Sequence, residues 1–311
     1  MLRALFALLA AACLAACATV PEGPKRIALT FDDVPRNPGA FLSEDERTER
    51  LIDGLRQAGV GQAAFFVTTG NLAKTTGGAE RIARYEAAGH VLGNHTFSHP
   101  HLSQVSAEAF LDDVDKAAEW LAPHASSRPW MRFPYLDEGR EDRTKREAVR
   151  AGLAARGLSN GVVTVDASDW KYDDLAIAAK AAGEPMDMNA LRDLWVESHV
   201  DAAEFYDDLA RKSLGRSPAH ILLMHETDLS ALFVADLVAA LRARGWEVIT
   251  ADEAFADPLA AMLPDVASAQ GTITEMVAWE RGFPAPRWYA RNSETLATAE
   301  FDRRVLKKEG K

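Results

Sequence analysis

From Lys25 onward the sequence alternates apolar runs of strand length with segments of helical periodicity, and this alternation constrains the fold more than any other feature. Several of the runs are apolar on both faces, which is typical of a parallel sheet covered by helices. The predicted strands are 26–31, 62–68, 91–95, 129–134, 161–167, 220–226 and 247–250. The predicted helices are 43–59, 78–88, 106–121, 142–155, 189–214, 231–244 and 251–255. A (β/α) barrel and an open doubly wound sheet both fit this pattern.

Composition limits the class of protein. The chain has 311 residues, of which 48% are hydrophobic and 26% charged, so it can bury a core of the size of one large α/β barrel. Its formal net charge is −11 without a basic run, which argues against a nucleic acid as partner because phosphate contacts need clustered Lys and Arg. Both cysteines lie within the first seventeen residues, so any metal site in the body must be built from His, Asp or Glu.

The N-terminus has the layout of a bacterial secretory signal. Residues 1–18 contain one basic residue, Arg3, followed by an apolar stretch that is short for a membrane span of about 20 residues. The sequence Leu-Ala-Ala-Cys that ends at Cys17 resembles a lipobox, at which a lipoprotein signal is cut and the new N-terminal cysteine is acylated. We favour this interpretation over cleavage after Ala18 and over an uncleaved anchor.

These features predict four segments. Residues 1–16 are predicted to be the signal peptide, 17–24 a tether, 25–257 the main α/β domain and 258–311 a C-terminal extension. Aromatic residues in the extension predict that it packs on the barrel, and its basic end is predicted to be a solvated, frayed terminus. The lipid anchor implies a membrane-attached protein on the periplasmic side of the cell envelope, or else a secreted one, and we expect a monomer.

Chemically active side chains collect where the predicted strands end. In a (β/α) barrel these ends lie on one rim, where active sites are built. Five strands contribute: Asp32 and Asp33, His95 with His99, Arg132 with Tyr135, Asp166 with Asp169, and His225 with Glu226. Such a collection would be improbable for residues that serve structure alone.

The spacing of His95 and His99 suggests a metal site. Two imidazoles four residues apart can converge on one ion, and a carboxylate from Asp32 or Asp33 would complete three protein ligands. The alternative is a surface helix with two unrelated histidines. The adjoining acidic pair disfavours that alternative, because two carboxylates buried side by side repel each other unless one binds a cation.

Five short segments, taken in order, resemble the motifs of the polysaccharide deacetylase family, which is carbohydrate esterase family four or the NodB homology domain. They are Thr30-Phe31-Asp32-Asp33, His95-Thr96-Phe97-Ser98-His99, Arg132-Phe133-Pro134-Tyr135, Asp166-Ala167-Ser168-Asp169-Trp170 and Leu223-Met224-His225. The resemblance covers about residues 25–257. It implies a distorted (β/α) barrel of seven or eight parallel strands.

The resemblance also implies roles at the metal. Asp33, His95 and His99 would hold a divalent ion, usually zinc in this family, with Co²⁺ or Ni²⁺ as alternatives. Asp32 would be the general base that takes a proton from the attacking water. Arg132 would pair with Asp32 and orient it.

Further roles follow from the same resemblance. The backbone N–H of Tyr135 would help to stabilise the oxyanion. Asp169 would support His225 as the general acid that protonates the leaving group. Leu223 and Trp170 would shape the substrate pocket around the acetyl methyl group.

Other residues receive plainer interpretations. Leu136 stands where the family commonly has Gly, so the loop beside Tyr135 is expected to differ. His101 is expected to face solvent. Glu226 is expected either to support the site from behind or to be a solvated carboxylate, and the segment 171–188 is interpreted as an insertion that forms a groove wall.

The predicted function is metal-dependent removal of acetyl groups from an N- or O-acetylated polysaccharide such as peptidoglycan, chitin or xylan. One alternative keeps the fold and the metal but acts on a small amide. Another is a glycan-binding lipoprotein without catalysis, against which the full set of Asp32, Arg132, Asp169 and His225 argues.

Overall fold

The structure, a computed structural model, describes residues 23–308, and it contains one large parallel sheet with helices packed around it. The strands are β1 Lys25–Val34, β2 Ala64–Val67, β3 Val91–Asn94, β4 Ser127–Met131, β5 Asp137–Arg140, β6 Ser159–Asn160, β7 Val165–Asp166, β8 Ala219–His225, β9 Trp246–Val248 and β10 Ala269–Gln270. The helices are α1 Glu44–Gln57, α2 Gly78–Ala87, α3 Ala107–Leu121, α4 Arg143–Ala155, α5 Asp169–Ala181, α6 Met188–Leu214, α7 Asp228–Ala243, α8 Ala251–Phe255, α9 Ile273–Glu280 and α10 Glu294–Arg304.

Eight strands form the large sheet in the order β6-β4-β3-β2-β1-β8-β7, with β9 paired to the start of β1. All of these pairings are parallel. The small antiparallel pair β5–β10 stands apart. The sheet curls into an incomplete barrel, which confirms the distorted (β/α) barrel implied by the resemblance. The alternation of strands and helices alone also fitted an open doubly wound sheet.

Strand β1 lies in the middle of this sheet and separates two apolar layers. Successive side chains of a strand point to opposite faces. Ile27, Leu29 and Phe31 accordingly belong to the large cluster under the helices, whereas Ala28 packs in a second cluster with residues such as Ile221. The alternation therefore places Thr30 and Asp32 on the same face as Ala28, towards the interior of the barrel.

The predicted strand over residues 161–167 is wrong in part, because the structure has two short strands with a bent segment between them. The guanidinium of Arg132 donates to the carbonyls of Gly161 at 2.7 Å and Val162 at 3.3 Å. The next carbonyl, that of Val163, accepts the backbone N–H of Ile273 at 2.7 Å. The buried Arg132 side chain and the first residue of α9 thus bind backbone carbonyls that a continuous strand would pair with a neighbouring strand. The strand is therefore interrupted here.

No helix was predicted over residues 171–188, but most of the segment is helix α5. The inward face of α5 buries Tyr172, Asp173, Ala176 and Ala179. Asp173, a carboxylate, lies among these inward positions and interrupts the apolar periodicity by which a helix is predicted. The sequence pattern therefore did not indicate this helix.

The C-terminal extension packs on the barrel through α9 and α10. Ile273 and Met276 of α9 join the cluster around Ala28, while Phe301 of α10 joins the cluster under the helices. The basic end was predicted to fray, but α10 includes Arg304, which forms an ion pair with Glu197 at 3.0 Å. Across residues 23–308, none of the helices is both long and apolar enough to cross a membrane.

Candidate active site

The end of β1 presents two adjacent carboxylates on one side of the chain. Regular alternation would send Asp32 and Asp33 to opposite faces of the sheet. The pairing with β2 shifts register between Phe31 and Val34, and Asp33 has the left-handed φ of 66°. This local distortion, of a kind that costs about 1–3 kcal/mol per residue, turns Asp33 back towards the side that Asp32 faces.

His95 and His99 lie on a tight loop after β3, and not on a helix. Thr96 and His99 have φ values of 65° and 60°. The Asn94 side chain accepts the Thr96 N–H at 2.8 Å, and the Thr96 hydroxyl accepts the His99 N–H at 3.0 Å. From α3, the Asp113 carboxylate accepts the backbone N–H groups of residues 97 and 98 at 2.9 and 2.8 Å. These bonds hold both imidazoles on the same side of the loop.

Asp33, His95 and His99 form a cluster whose ligand atoms lie within 4.8 Å of one another. Oδ1 of Asp33 lies 3.1 Å from Nε2 of His99 and 3.5 Å from Nε2 of His95, and the two Nε2 atoms are 3.2 Å apart. Nδ1 of His95 lies 2.9 Å from the backbone carbonyl of Arg132, to which it donates a proton. That bond leaves the lone pair of Nε2 directed into the cluster, as metal-binding histidines require. The donor set therefore fits a divalent metal.

Asp32 and Arg132 form a buried ion pair beside this cluster. Nη1 of Arg132 donates to Oδ1 of Asp32 at 2.6 Å and to the Thr30 hydroxyl at 2.8 Å. The side chains are 4% and 0% exposed, so neither charge has much access to water. The other oxygen of Asp32, Oδ2, lies 3.6 Å from Nε2 of His95 and is directed towards the cluster.

Asp169 and His225 form a second charged pair on the same rim. Oδ1 of Asp169 lies 2.8 Å from Nδ1 of His225, and Oδ2 accepts the His225 backbone N–H at 2.8 Å. Burial alone would lower the pKa of His225, but the Asp169 carboxylate outweighs it and raises that pKa to about 9. The imidazolium in turn holds the pKa of Asp169 below its ordinary value, against the effect of burial. The Asp169 carboxylate therefore favours the protonated form of His225.

Tyr135 lies on the third side of the cluster. It has a left-handed φ of 58°, and Leu136 has 52°, so the position where the family commonly has Gly keeps a glycine-like conformation with a leucine. The Tyr135 ring is 50% exposed and meets His99 edge-on, with 4.6 Å between ring centroids. Its other neighbour is His101, whose ring stacks on it at 3.5 Å and 8°. The expectation that His101 faces solvent is wrong in part, because the stacking covers one face of its ring and leaves 24% of the side chain exposed.

The remaining predicted residues are placed on the same rim without a described contact to the cluster. Trp170 lies in the first turn of α5, directly after Asp169, and Leu223 is buried in β8 opposite Asp166. Asp166 accepts the Ser168 N–H at 2.8 Å, and burial raises its pKa to about 6.

Three residues behind the site were left open or were missed by the sequence analysis. Glu226 is fully buried and accepts the Tyr85 hydroxyl at 2.7 Å, so its interpretation as a solvated carboxylate is wrong. Arg36 bonds Asp33, and Asp113 holds the loop between the two histidines. The sequence drew attention to Glu226 only through its position beside His225, and it gave no signal for Arg36 or Asp113, which belong to no short motif.

Known proteins share both sequence and fold with this chain. Residues 19–155 match the family model described as polysaccharide deacetylase. A peptidoglycan-N-acetylglucosamine deacetylase from Bacillus cereus is 32% identical over 151 residues, which cover 49% of this chain and 48% of that protein. A chitin deacetylase from Colletotrichum lindemuthianum is 25% identical, with coverage of 75% of this chain and 81% of that protein. The chain thus spans about half of the length of the bacterial relative.

Two solved structures share the fold at low sequence identity. A polysaccharide deacetylase from Bacillus cereus superposes with a TM-score of 0.53 at 20% identity, covering 73% of this chain and 91% of that one. A family 4 carbohydrate esterase pseudoenzyme from Bacillus anthracis gives 0.53 at 19% identity, covering 74% and 65%. One neighbour is named as a deacetylase and the other as a pseudoenzyme, so the shared fold leaves activity to be argued from the site. The match to the polysaccharide deacetylase family model thus extends over somewhat less than half of the chain and includes the segments around Asp32, His95 and Arg132.

Proposed function

We propose that this chain is a metal-dependent hydrolase that removes acetyl groups from an N- or O-acetylated polysaccharide. One observation carries the proposal: a metal-binding cluster, an oriented carboxylate and a charged histidine share one rim of the barrel. Hydrolysis of an amide needs an activated water, stabilisation of an oxyanion and protonation of a poor leaving group. These three groups can supply those needs together.

The metal ligands in this proposal are Asp33, His95 and His99. When bound, a divalent ion acts as a Lewis acid that polarises the acetyl carbonyl and makes water acidic. Three protein ligands of this type suit Zn²⁺ best, while Co²⁺ and Ni²⁺ accept the same nitrogen and oxygen donors.

Asp32 is proposed as the general base and Arg132 as the residue that orients it. The guanidinium occupies Oδ1 of Asp32, so Oδ2 is the oxygen available to receive a proton from water. His225 is proposed to donate its proton to the leaving nitrogen, and Asp169 to keep it charged. The Tyr135 N–H is proposed as an oxyanion donor, with Leu223 and Trp170 around the acetyl methyl group.

The names of the relatives support amino sugars as the substrate class. Several are named as peptidoglycan or chitin deacetylases, and both polymers carry N-acetyl groups on glucosamine-type rings. The most direct test measures acetate released from peptidoglycan, chitin oligomers, acetyl-xylan and small amides, with Zn²⁺ supplied. We expect release from an acetylated glycan. Release from small amides alone, or from nothing while the metal is bound, would overturn the proposal.

We further propose that Cys17 carries a lipid that attaches a monomeric protein to a bacterial cell envelope. The proposed boundaries are a signal peptide over 1–16, a tether over 17–24, a catalytic domain over 25–257 and the extension 258–311. Cys17 lies outside the described residues, so its sequence context alone supports this assignment. Detergent should release the wild type from membranes, and Cys17→Ser should block acylation. Mass spectrometry that found an unlipidated mature N-terminus at Thr19 would contradict it.

A further inference from the structure

The second oxygen of Asp33 is bound by an arginine that belongs to none of the five motifs. Nη1 of Arg36 donates to Oδ2 of Asp33 at 2.9 Å, while Oδ1 faces the two imidazoles. The Arg36 side chain is 29% exposed and reaches the rim from the loop after β1. Oδ1 of Asp33 therefore faces the metal-binding cluster, while Oδ2 is hydrogen-bonded to the Arg36 guanidinium.

The backbone of Arg36 is held by buried charged side chains. Its N–H donates to Oε2 of Glu226 at 2.7 Å, and Glu226 directly follows His225. Its carbonyl accepts Nη2 of Arg47 at 2.7 Å and Nη1 of Arg81 at 3.4 Å. Glu226, Arg47 and Arg81 are each at most 1% exposed.

The same group of buried charged residues also holds the rest of the loop after β1. Asp228, which is fully buried, accepts the backbone N–H of Phe41 at 2.8 Å and lies 3.4 Å from Arg47. Oε1 of Glu226 accepts the Tyr85 hydroxyl at 2.7 Å. Buried charges of this kind are costly and contribute little net stability, but they impose one arrangement on the groups they bind. Here the group they place is Arg36.

We propose that Arg36 is a positioning residue that restricts Asp33 to a single ligand oxygen. A carboxylate can bind a metal through one oxygen or through both. With Oδ2 held by Arg36, the cluster offers three ligand atoms, so coordination positions stay open for water and substrate. Without Arg36, Oδ2 is free to turn towards the ion and fill one of those positions.

According to the proposal, loss of the Arg36 guanidinium should leave metal affinity unchanged or higher, whereas turnover should fall. A guanidinium next to the cluster repels a divalent cation, so its removal should not weaken metal binding. A second oxygen from Asp33 would also add to the affinity. Turnover should fall, because the position needed by water or substrate is occupied. A residue that merely supported the ligands would lose affinity and turnover together.

The test uses Arg36→Met, which keeps an unbranched apolar stem but removes the charge and the donors, and Arg36→Lys, which restores a cation. The backbone contacts of residue 36 do not depend on its side chain, so both variants should fold. Arg84→Met is the matched control, because Arg84 pairs with Asp45 at the surface, away from the cluster. Each protein is loaded with Co²⁺, whose visible absorption weakens as its coordination number rises. Affinity is measured by competition with a chelator.

We expect Arg36→Met to bind Co²⁺ at least as tightly as the wild type, with weaker visible absorption and a turnover lower by about 10- to 100-fold. Arg36→Lys should recover the absorption, and Arg84→Met should match the wild type. Unchanged absorption in Arg36→Met, or a tenfold loss of affinity, would overturn the proposal, as would a wild type that binds no Co²⁺. The inference rests on the metal site of the proposed function and not on its substrate, so absorption and affinity decide it even if no glycan is deacetylated.

Discussion

The two sides of the candidate site are built differently. The metal side consists of Asp33, His95 and His99, which come from two short stretches of chain. Asp33 directly follows Asp32, and His95 lies four residues from His99. On the acid side, Asp169 and His225 are 56 residues apart and meet only because β7 pairs with β8. The extension also reaches the acid side, where Asn292 donates to the Asp166 carbonyl at 3.1 Å. The ion site thus requires pairing of β1, β2 and β3 in the N-terminal half, together with the local backbone geometry that turns its ligands inward. The acid pair instead requires correct assembly of the C-terminal half.

The largest expected effect is on the metal side. His95→Ala or His99→Ala removes one of three ligands, so bound metal and acetate release should disappear together. Metal content is measured by elemental analysis and activity by acetate release. Chelation should inactivate the wild type, and added metal should restore it. Full activity after exhaustive chelation would contradict the metal assignment.

Asp32→Asn tests whether Asp32 is the general base and not a metal ligand. The amide keeps the shape of the side chain but cannot accept a proton. Turnover should therefore fall by a factor at the upper end of the range of about 10²–10⁴ that is typical of general bases. Metal content should stay near stoichiometric. If Asp32→Asn lost metal as completely as His95→Ala, Asp32 would be a ligand.

His225→Ala tests the acid side alone. Loss of a general acid should lower turnover by about 10²–10⁴ on an N-acetyl substrate, with metal retained. An O-acetyl ester with a good leaving group should be much less affected, because its leaving oxygen scarcely needs the proton. Equal losses on amide and ester, or none on either, would show that His225 is not the acid.

Asp169→Asn should move the pH profile rather than abolish activity. The carboxylate raises the pKa of His225 to about 9, so its loss should lower that pKa towards the ordinary 6.5. His225 would then lose its proton at lower pH, and the alkaline limb of the pH–rate profile would shift to lower pH. An unchanged alkaline limb would mean that another group controls it.

The smallest effect is expected from Asn292→Ala in the extension. Its hydrogen bond to the Asp166 carbonyl should contribute about 0.5–1.5 kcal/mol to the free energy of unfolding, measured by urea denaturation. Metal affinity should not change, since Asn292 contacts the acid side only. A loss of metal affinity would show that the two sides of the site are coupled.

Much of the fold follows from the sequence because most strands and helices obey simple periods. The rim residues could be predicted because parallel strands end together, but the orientation of Asp33 could not, since it depends on a left-handed φ. The break between β6 and β7 depends on Arg132 and on α9, which are distant in the chain. For the same reason the buried cluster around Glu226 was beyond prediction, as its partner Tyr85 lies 141 residues away.

The central place of β1 in the sheet has a consequence for the order in which the molecule can fold. β1 is the first strand in the chain, yet its bond from Thr30 to the Leu222 carbonyl joins residues 192 positions apart. Contacts of such long range form slowly, because a large loop must close before they add stability. Until β8 arrives, the edge of β1 that it covers stays unpaired and is open to wrong strands. The strand that carries Asp32 and Asp33 is therefore made first and completed among the last.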